Sequence, residues 1–302
     1  MSFRPWKEQD LAEIVRLCNA HDSAIDPEFE DSSAEEIRQE LNGLYDEVFA
    51  EVFEQEGVIT DLVVAQVDKK RERIEVDVFG LPANHDYRRS MQRAQSWISE
   101  NFPDFEVRSF SNERDLRLRE AILDSGLHLV RKYWTMRNHQ PDRNYPKLPK
   151  NVKIRQADYE REKATWHFLL MDSFSDHYGF KQKTFHDWLS KQDEAILQDE
   201  NGVFFLEENN LPVGFLVCTN HRAENQGGFI DKLGVRKNFR GRGYGEYLLR
   251  WGCAYSVERG FKDVALSVDT GNETGAIALY EKVGFETKKS WQQFHNPNWA
   301  NF

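Results

Sequence analysis

Cysteine is scarce in this 302-residue chain: three residues, Cys18, Cys218 and Cys253, lie far apart with no C-x-x-C pair. An odd count at such spacing suggests free buried thiols in a reducing compartment and no cysteine-based zinc site. Long apolar runs are missing too. No segment approaches the ~20 apolar residues of a bilayer-spanning helix, and Ser2-Phe3-Arg4-Pro5-Trp6-Lys7-Glu8 lacks the apolar core of a secretion signal. Positive charge is in deficit, with 40 Lys and Arg against 51 Asp and Glu for a formal charge of −11. General nucleic-acid and anionic-membrane partners need basic surface, so neither is expected. The expectation is a cytoplasmic protein without a metal.

What is present suffices for globular cores: 39% of residues are hydrophobic and 13% aromatic. At ~100–200 residues per domain the length predicts two domains. Three prolines, Pro141, Pro146 and Pro149, fall in a polar stretch with no apolar period. Proline fixes φ and removes a donor, so residues 139–151 read as an extended linker between a domain over 1–138 and another over 152–302.

The two halves repeat one order of elements. Each opens with a short strand and an acidic passage into a helix: Phe3-Arg4-Pro5-Trp6 then Glu8 to His21, and Val152-Lys153-Ile154-Arg155 then Asp158 to Met171. Strand-like runs follow at Glu47 to Phe53, Val58 to Val67 and Arg73 to Phe79, and again at Val203 to Leu206, Val213 to Thr219 and Gly228 to Val235. Alternation such as Ile74, Val76, Val78 supports strands. Each half then has a helix with a tryptophan (Trp97, Trp251), a strand, and a helix ending in Ser125-Gly126-Leu127 or Val283-Gly284-Phe285. Each closes on a strand with a late tryptophan, Trp134 or Trp291. The fold class is therefore α/β (α+β): two similar domains, each a mixed, mostly antiparallel sheet flanked by helices.

Glycine separates the copies. Of 18 glycines, Gly43, Gly57, Gly80 and Gly126 precede the linker and fourteen follow it. Close backbone approach to a ligand needs glycine, so chemistry is expected in the second half. Its most informative stretch runs from Leu233, Gly234 and Val235 through Arg240-Gly241-Arg242-Gly243-Tyr244-Gly245 into a helix. Free amides at a helix start, with the positive end of its dipole, suit a pyrophosphate, and Arg240 and Arg242 add charge. The plainer alternative is a tight turn with solvated arginines. A dinucleotide fingerprint or an ATP loop fits worse, because the spacing is G-x-G-x-G and no G-K-[ST] follows.

The order strand, R-x-x-G-x-G, helix, strand, helix with Tyr, then G-F resembles the GNAT superfamily of acetyl-CoA-dependent N-acetyltransferases. Arg240, Gly243 and Gly245 match its first signature; Asn272, Ala276, Tyr280, Gly284 and Phe285 match the downstream segment. The resemblance covers Val152 to about Phe294, and the tandem layout with Phe174-Ser175-Asp176-His177-Tyr178-Gly179-Phe180 is similar to the two-domain mycothiol synthases.

The resemblance implies acetyl-CoA as co-substrate, held by a strand that splays from its neighbour around Leu233, Gly234 and Val235. A backbone N–H there polarises the thioester carbonyl. It implies direct attack by a primary amine, most simply that of a small molecule, with Tyr280 as the acid for the departing thiolate. A protein amine as acceptor, or a non-catalytic acyl-CoA sensor, are the rival readings. Asn272 either binds the cofactor or only caps the next helix, and Gly284 reads as a left-handed C-cap with Phe285 as its apolar contact. The Glu common in the family is Phe229 here, which makes Asp231 the candidate base; the other reading of Asp231 is an ion pair with Lys232 or Arg236. Asp176 and His177 are candidates for contact with the amine, or simply part of a capped turn.

In the first half, Arg89, Met91 and Arg93 replace the three glycines, and Ile122 stands opposite Tyr280. That half is expected to be a degenerate copy that packs as a built-in pseudo-dimer partner, in a chain that is a monomer or a homodimer. The run Glu28 to Glu36 either attracts a cationic acceptor or starts a helix.

Overall fold

A computed structural model describes residues 2–26, 29, 31–42, 45–81, 85–177, 180–189, 202–271 and 275–301. They form two compact units, an N-terminal one of residues 1–133 with 289–302 and a C-terminal one of residues 134–288.

The N-terminal unit contains β1 (Phe3–Pro5), β2 (Glu47–Gln55), β3 (Val58–Asp68), β4 (Arg73–Gly80), β5 (Glu106–Asn112) and β12 (Glu286–Asn296), in the order β1-β2-β3-β4-β5-β12. Its helices are α1 (Leu11–Ile25), α2 (Ala34–Asn42), α3 (Arg88–Asn101) and α4 (Leu116–Asp124). Strand alternation distributes the core to both faces. Ile74, Val76 and Val78 pack with Met91, Ile98 and Ile122 of α3 and α4, whereas Val52, Leu62 and Val64 pack with Ile14 and Leu17 of α1. Full burial of each such side chain contributes roughly 1.5–3 kcal/mol before entropy is charged against it. The acidic run ends in a helix start: Ser33 and Glu36 exchange side chain-to-amide bonds of 2.7 and 3.2 Å, a capping box for α2. Glu28 and Glu30 lie outside the described residues.

The C-terminal unit contains the second part, from Trp134, of β6 (His128–Asn138), with β7 (Val152–Gln156), β8 (Val203–Glu208), β9 (Leu211–Thr219), β10 (Gly227–Val235) and β11 (Asp263–Asp269), in the order β7-β8-β9-β10-β11-β6. Its helices are α5 (Lys163–Phe174), α6 (Phe185–Leu189), α7 (Tyr244–Glu258) and α8 (Ala276–Lys282). One face carries α7 and α8 over Leu216, Leu248, Leu249 and Phe285; the other carries α5 through Trp166, Leu169, Phe205 and Phe215. The pairs β4–β5 and β10–β11 are parallel, and β3–β4 and β9–β10 antiparallel, so each unit is a mixed sheet flanked by helices.

The closing strands do not stay with their own halves. β12 pairs antiparallel with β5, from Trp291↔Asn112 to Asn296↔Val107, and β6 lies beside β11. Two similar halves offer equivalent slots beside their parallel strand, so exchanging the last strand fills the same apolar edge. The compact units therefore follow the strands. The proline-rich stretch belongs to the C-terminal unit, where the Tyr145 ring sits 4.4 Å from Trp251, its hydroxyl donates to Glu258, and Leu148 joins the core.

Both terminal helices end alike. Gly126 and Gly284 have φ of 91° and 95°, and the next amides, of Leu127 and Phe285, return to the carbonyls of Ile122 and Tyr280 at 3.3 and 3.0 Å. This is the Schellman geometry that glycine permits. It places Ile122 and Tyr280 at the same helical position independently of sequence counting.

Candidate active site

The site is built where β10 leaves β11. Their parallel register runs from Gly227↔Asp263 to Ile230↔Leu266, while β10 stays with β9 as far as Val235↔Gly214. A bulge at Asp231 marks the departure. The Arg236 amide donates to Val213 of β9 at 2.9 Å, so by strand alternation Gly234 faces β9 and the polar groups of Leu233 and Val235 face the gap. The Val235 carbonyl accordingly accepts from Arg240 Nε at 3.3 Å. Side chains of Leu233 and Val235 pack on the core. Gly234 is required by packing: a Cβ there would lie 2.4 Å from Phe215 and 2.9 Å from Ser173 of α5.

After β10 a short turn leads to the glycine loop. Gly241 and Gly243 adopt φ of 76° and 81°, and a Cβ at either would meet nothing within 4 Å, so conformation selects glycine and the space above stays open. Gly243 is the N-cap of α7 and offers no capping side chain. The Glu246 and Tyr247 amides fold back on its carbonyl at 3.1 and 3.2 Å, and the amides of Gly243, Tyr244 and Gly245 have no acceptor among the described residues. Such a helix start is an anion site. Gly245 faces α8, with Leu279 Cδ2 3.2 Å from a Cβ placed there. Lys282 Nζ reaches Glu246 at 2.6 Å, holding α8 against the first turn of α7.

The two loop arginines are committed to carboxylates. Arg240 grips Asp176 through Nη1 at 2.6 Å and Nη2 at 3.2 Å and also donates to the Ser173 carbonyl at 2.7 Å. The hydrogen bond from Arg240 holds the Asp176 carboxyl below its ordinary range. Arg242 pairs with Glu208 at 2.9 Å, and Tyr244 donates its hydroxyl to the same carboxylate at 2.6 Å. Asp172 completes the clamp by accepting the Lys237 amide at 3.2 Å. Asp172 and Glu208 escaped sequence reasoning because each lies tens of residues from the loop it positions. We expect Gly241→Ala with Gly243→Ala to strain the loop by ~1–2 kcal/mol per residue and to weaken any anion held there about tenfold or more. Calorimetric titration beside a melting curve checks this; undiminished binding would refute it.

Tyr280 lies on α8, half-buried, 6.2 Å from the Phe285 ring, and its hydroxyl has no protein partner among the described residues. Burial pushes its pKa up to about 12. Gly275, at φ 74°, caps α8, and Asn272 lies outside the described residues. Asp231 is ion-paired with its neighbour Lys232. The His177 ring packs edge-on to Phe174 at 4.4 Å. Burial holds its pKa below the ordinary 6.5, against the opposing fields of Asp176 and, at the end of β11, Asp269. His177 is thus within electrostatic reach of both sides of the gap, Arg240 beyond β10 and Asp269 on β11. Cys253 is buried in α7, and burial raises its thiol to about 12, which excludes a nucleophilic thiolate. Among the described residues no group of three or more His, Cys, Asp or Glu is arranged to hold a metal ion, and no helix is long and apolar enough to cross a membrane.

A sheet whose parallel strands part above a glycine-rich helix start is the arrangement to which the sequence motifs pointed. Residues 163–285 match the acetyltransferase (GNAT) family, and the whole chain shares the fold of tandem GNAT proteins. A GCN5-related N-acetyltransferase from Sphaerobacter thermophilus superposes with a TM-score of 0.81 at 22% identity, covering 98% of this chain and 95% of that one. A tandem GNAT protein of the clavulanic acid biosynthesis pathway gives 0.74 at 11% identity, covering 98% of both chains. In sequence, an uncharacterised N-acetyltransferase of Methanocaldococcus jannaschii is 36% identical over 38% of this chain and 53% of its own length. A mycothiol acetyltransferase of Thermobispora bispora is 33% identical over 53% of this chain and 55% of its own. The chain spans about half the length of these curated relatives.

Proposed function

We propose that the chain is an acetyl-CoA-dependent N-acetyltransferase whose C-terminal unit acetylates a primary amine of a small molecule, while the N-terminal unit is a non-catalytic copy. The observation that carries this reading is the parting of β10 from β11 at Ile230, directly before an uncapped glycine-rich helix start. Relatives named mycothiol acetyltransferases favour a small acceptor. Three buried free thiols favour the cytoplasm.

Acetyl-CoA supplies the activated acyl group. The amides of Gly243, Tyr244 and Gly245 receive its diphosphate, and the gap-facing backbone of Leu233 and Val235 binds its arm as an added strand would. With Arg240 and Arg242 neutralised by Asp176 and Glu208, the arginines shape the loop, and anion recognition falls to the amides. The amine nitrogen bonds to the acyl carbon as the carbon–sulfur bond breaks. His177, neutral at physiological pH, takes the amine proton and passes it to solvent. Asp231, held by Lys232, is the poorer base. Tyr280 stays protonated and donates a hydrogen bond to the departing sulfur, which takes its proton from solvent. Its raised pKa makes full proton transfer secondary to that hydrogen bond, since a free thiol titrates near ~8.5.

Thioester consumption with a panel of amines tests the function, and absence of turnover with every amine despite acetyl-CoA binding selects the sensor reading. The pH profile tests the base. Because burial depresses the His177 pKa, kcat/KM should rise to half its plateau below pH 6.5. In His177→Ala that inflection should vanish. If it instead disappears in Asp231→Asn and survives in His177→Ala, the bulge carboxylate is the base.

A further inference from the structure

The N-terminal unit has a parted sheet of its own. β4 and β5 pair in parallel from Arg73↔Glu106 to Val76↔Ser109 and no further. At the gap lies a cavity of about 390 Å³, a size typical of small-molecule sites.

Its charged walls are mainly acidic. Asp22 of α1, Glu40 of α2, and Glu75 and Asp77 of β4 all line it. Alternation along β4 turns Glu75 and Asp77 away from the core that holds Ile74, Val76 and Val78. The side chains of Glu40, Glu75 and Asp77 make no hydrogen bond or ion pair among the described residues, and Asp22 has only the His21 imidazole, 4.0 Å away. Burial, reinforced by the neighbouring carboxylates, pushes Asp77 up to about 8, and burial also raises Asp22, Glu40 and Glu75. The nearby cations stand outside: Arg73 and Arg108 act on Glu75, and Lys289 is paired with Asp26 at 2.6 Å. His21, which meets the Gly80 carbonyl at 3.0 Å, is the one basic residue lining the cavity among the described residues.

Two further features identify what the cavity suits. Rings of Tyr45, Phe79, Phe110 and Trp291 line it beside the acids, and aromatic faces with carboxylates are the chemistry that recognises organic cations. The Ser111 hydroxyl, on a residue 1% exposed, also lines it with no hydrogen-bond partner. Its β5 position alternates with Phe110, so the cavity reaches through the gap from one face of the sheet to the other. The carboxylates are not clustered as metal ligands, which leaves an organic cation as the fitting guest.

We propose that the N-terminal unit binds an organic ammonium ligand in this cavity, its charge met by Glu75 and Asp77, its carbon body by the aromatic rings, and a polar group by Ser111. The site goes beyond the acyl-transfer reading and needs none of its residues. Ile122, where the other unit has Tyr280, offers no acid, so the unit binds without turnover.

The test is titration of the full chain with putrescine and spermidine, read by heat and tryptophan fluorescence. Saturable binding is expected, weakened roughly tenfold or more by Glu75→Gln with Asp77→Asn. The fluorescence change should be lost in Trp291→Phe. Removing buried like charges relieves repulsion, so the carboxamide variant should melt no lower than wild type, which separates lost binding from lost folding. Binding unaltered by these changes, displacement by Mg²⁺ or Ca²⁺ alone, or no uptake of either amine would each overturn the proposal.

Discussion

Tyr280→Phe is expected to lower kcat by about 10²–10⁴-fold, the usual worth of a positioned proton donor, with acetyl-CoA affinity nearly unchanged. The substitution removes one oxygen from a hydroxyl that no described protein group engages, and it keeps the ring beside Phe285. Stability should move by no more than ~0.5 kcal/mol. The effect should therefore appear in turnover and not in KM or the melting curve. Burial adds a second readout: a phenol raised to about 12 remains protonated at every working pH, so no alkaline loss of activity below that value belongs to this residue. Equal turnover by the two proteins at saturating acetyl-CoA would remove Tyr280 from the mechanism.

The second large effect concerns stability in the N-terminal unit. Asp61 is fully buried and accepts from His85 at 2.8 Å, Ser90 at 2.9 Å, Thr60 at 2.7 Å and Arg89 Nε at 2.9 Å. The Arg89 and Ser90 side chains at the start of α3 are thereby tied to a carboxylate of the protein itself. Gly80 makes room for it, since a Cβ there would lie 2.3 Å from the His85 ring. Asp61→Ala should cost about 3 kcal/mol, because the buried His85 and Ser90 side chains, together with the partly exposed Arg89 guanidinium, lose their acceptor. Burial alone would raise this carboxyl, yet the hydrogen bonds from His85, Arg89 and Thr60 outweigh it and take the pKa from 3.8 to about 2. A folded value below the unfolded one means the contribution, roughly 2 kcal/mol, is complete above pH ~4 and is lost as pH falls toward ~2. Urea unfolding at pH 6 and pH 3 should show wild type and Asp61→Asn converging in acid. A constant gap between them would show that the ionised carboxylate is not what stabilises the unit.

Local physics made much of this readable from sequence. Strand alternation marked β4, the Gly284-Phe285 ending marked a left-handed cap, and the loop glycines marked a backbone open to close approach by a ligand. What escaped was set by distance along the chain. Nothing near Arg240 announces Asp176, 64 residues away, and nothing near Arg89 announces Asp61, 28 residues away. Asn272 is not among the described residues, so its two readings stay as sequence expectations. The acidic cavity had one local signal, Glu75 and Asp77 alternating with a buried valine face in an otherwise apolar strand.

The traded final strands carry a consequence for anyone dividing the gene. A fragment ending inside residues 139–151 keeps β6 but lacks β12, so β5 is left with bare amides and carbonyls along one side. Its counterpart is missing β6 and leaves β11 equally raw. Unpaired borders of this kind recruit other chains. Separately expressed halves should clump, whereas the same two pieces produced together in one cell should find each other and stay in solution.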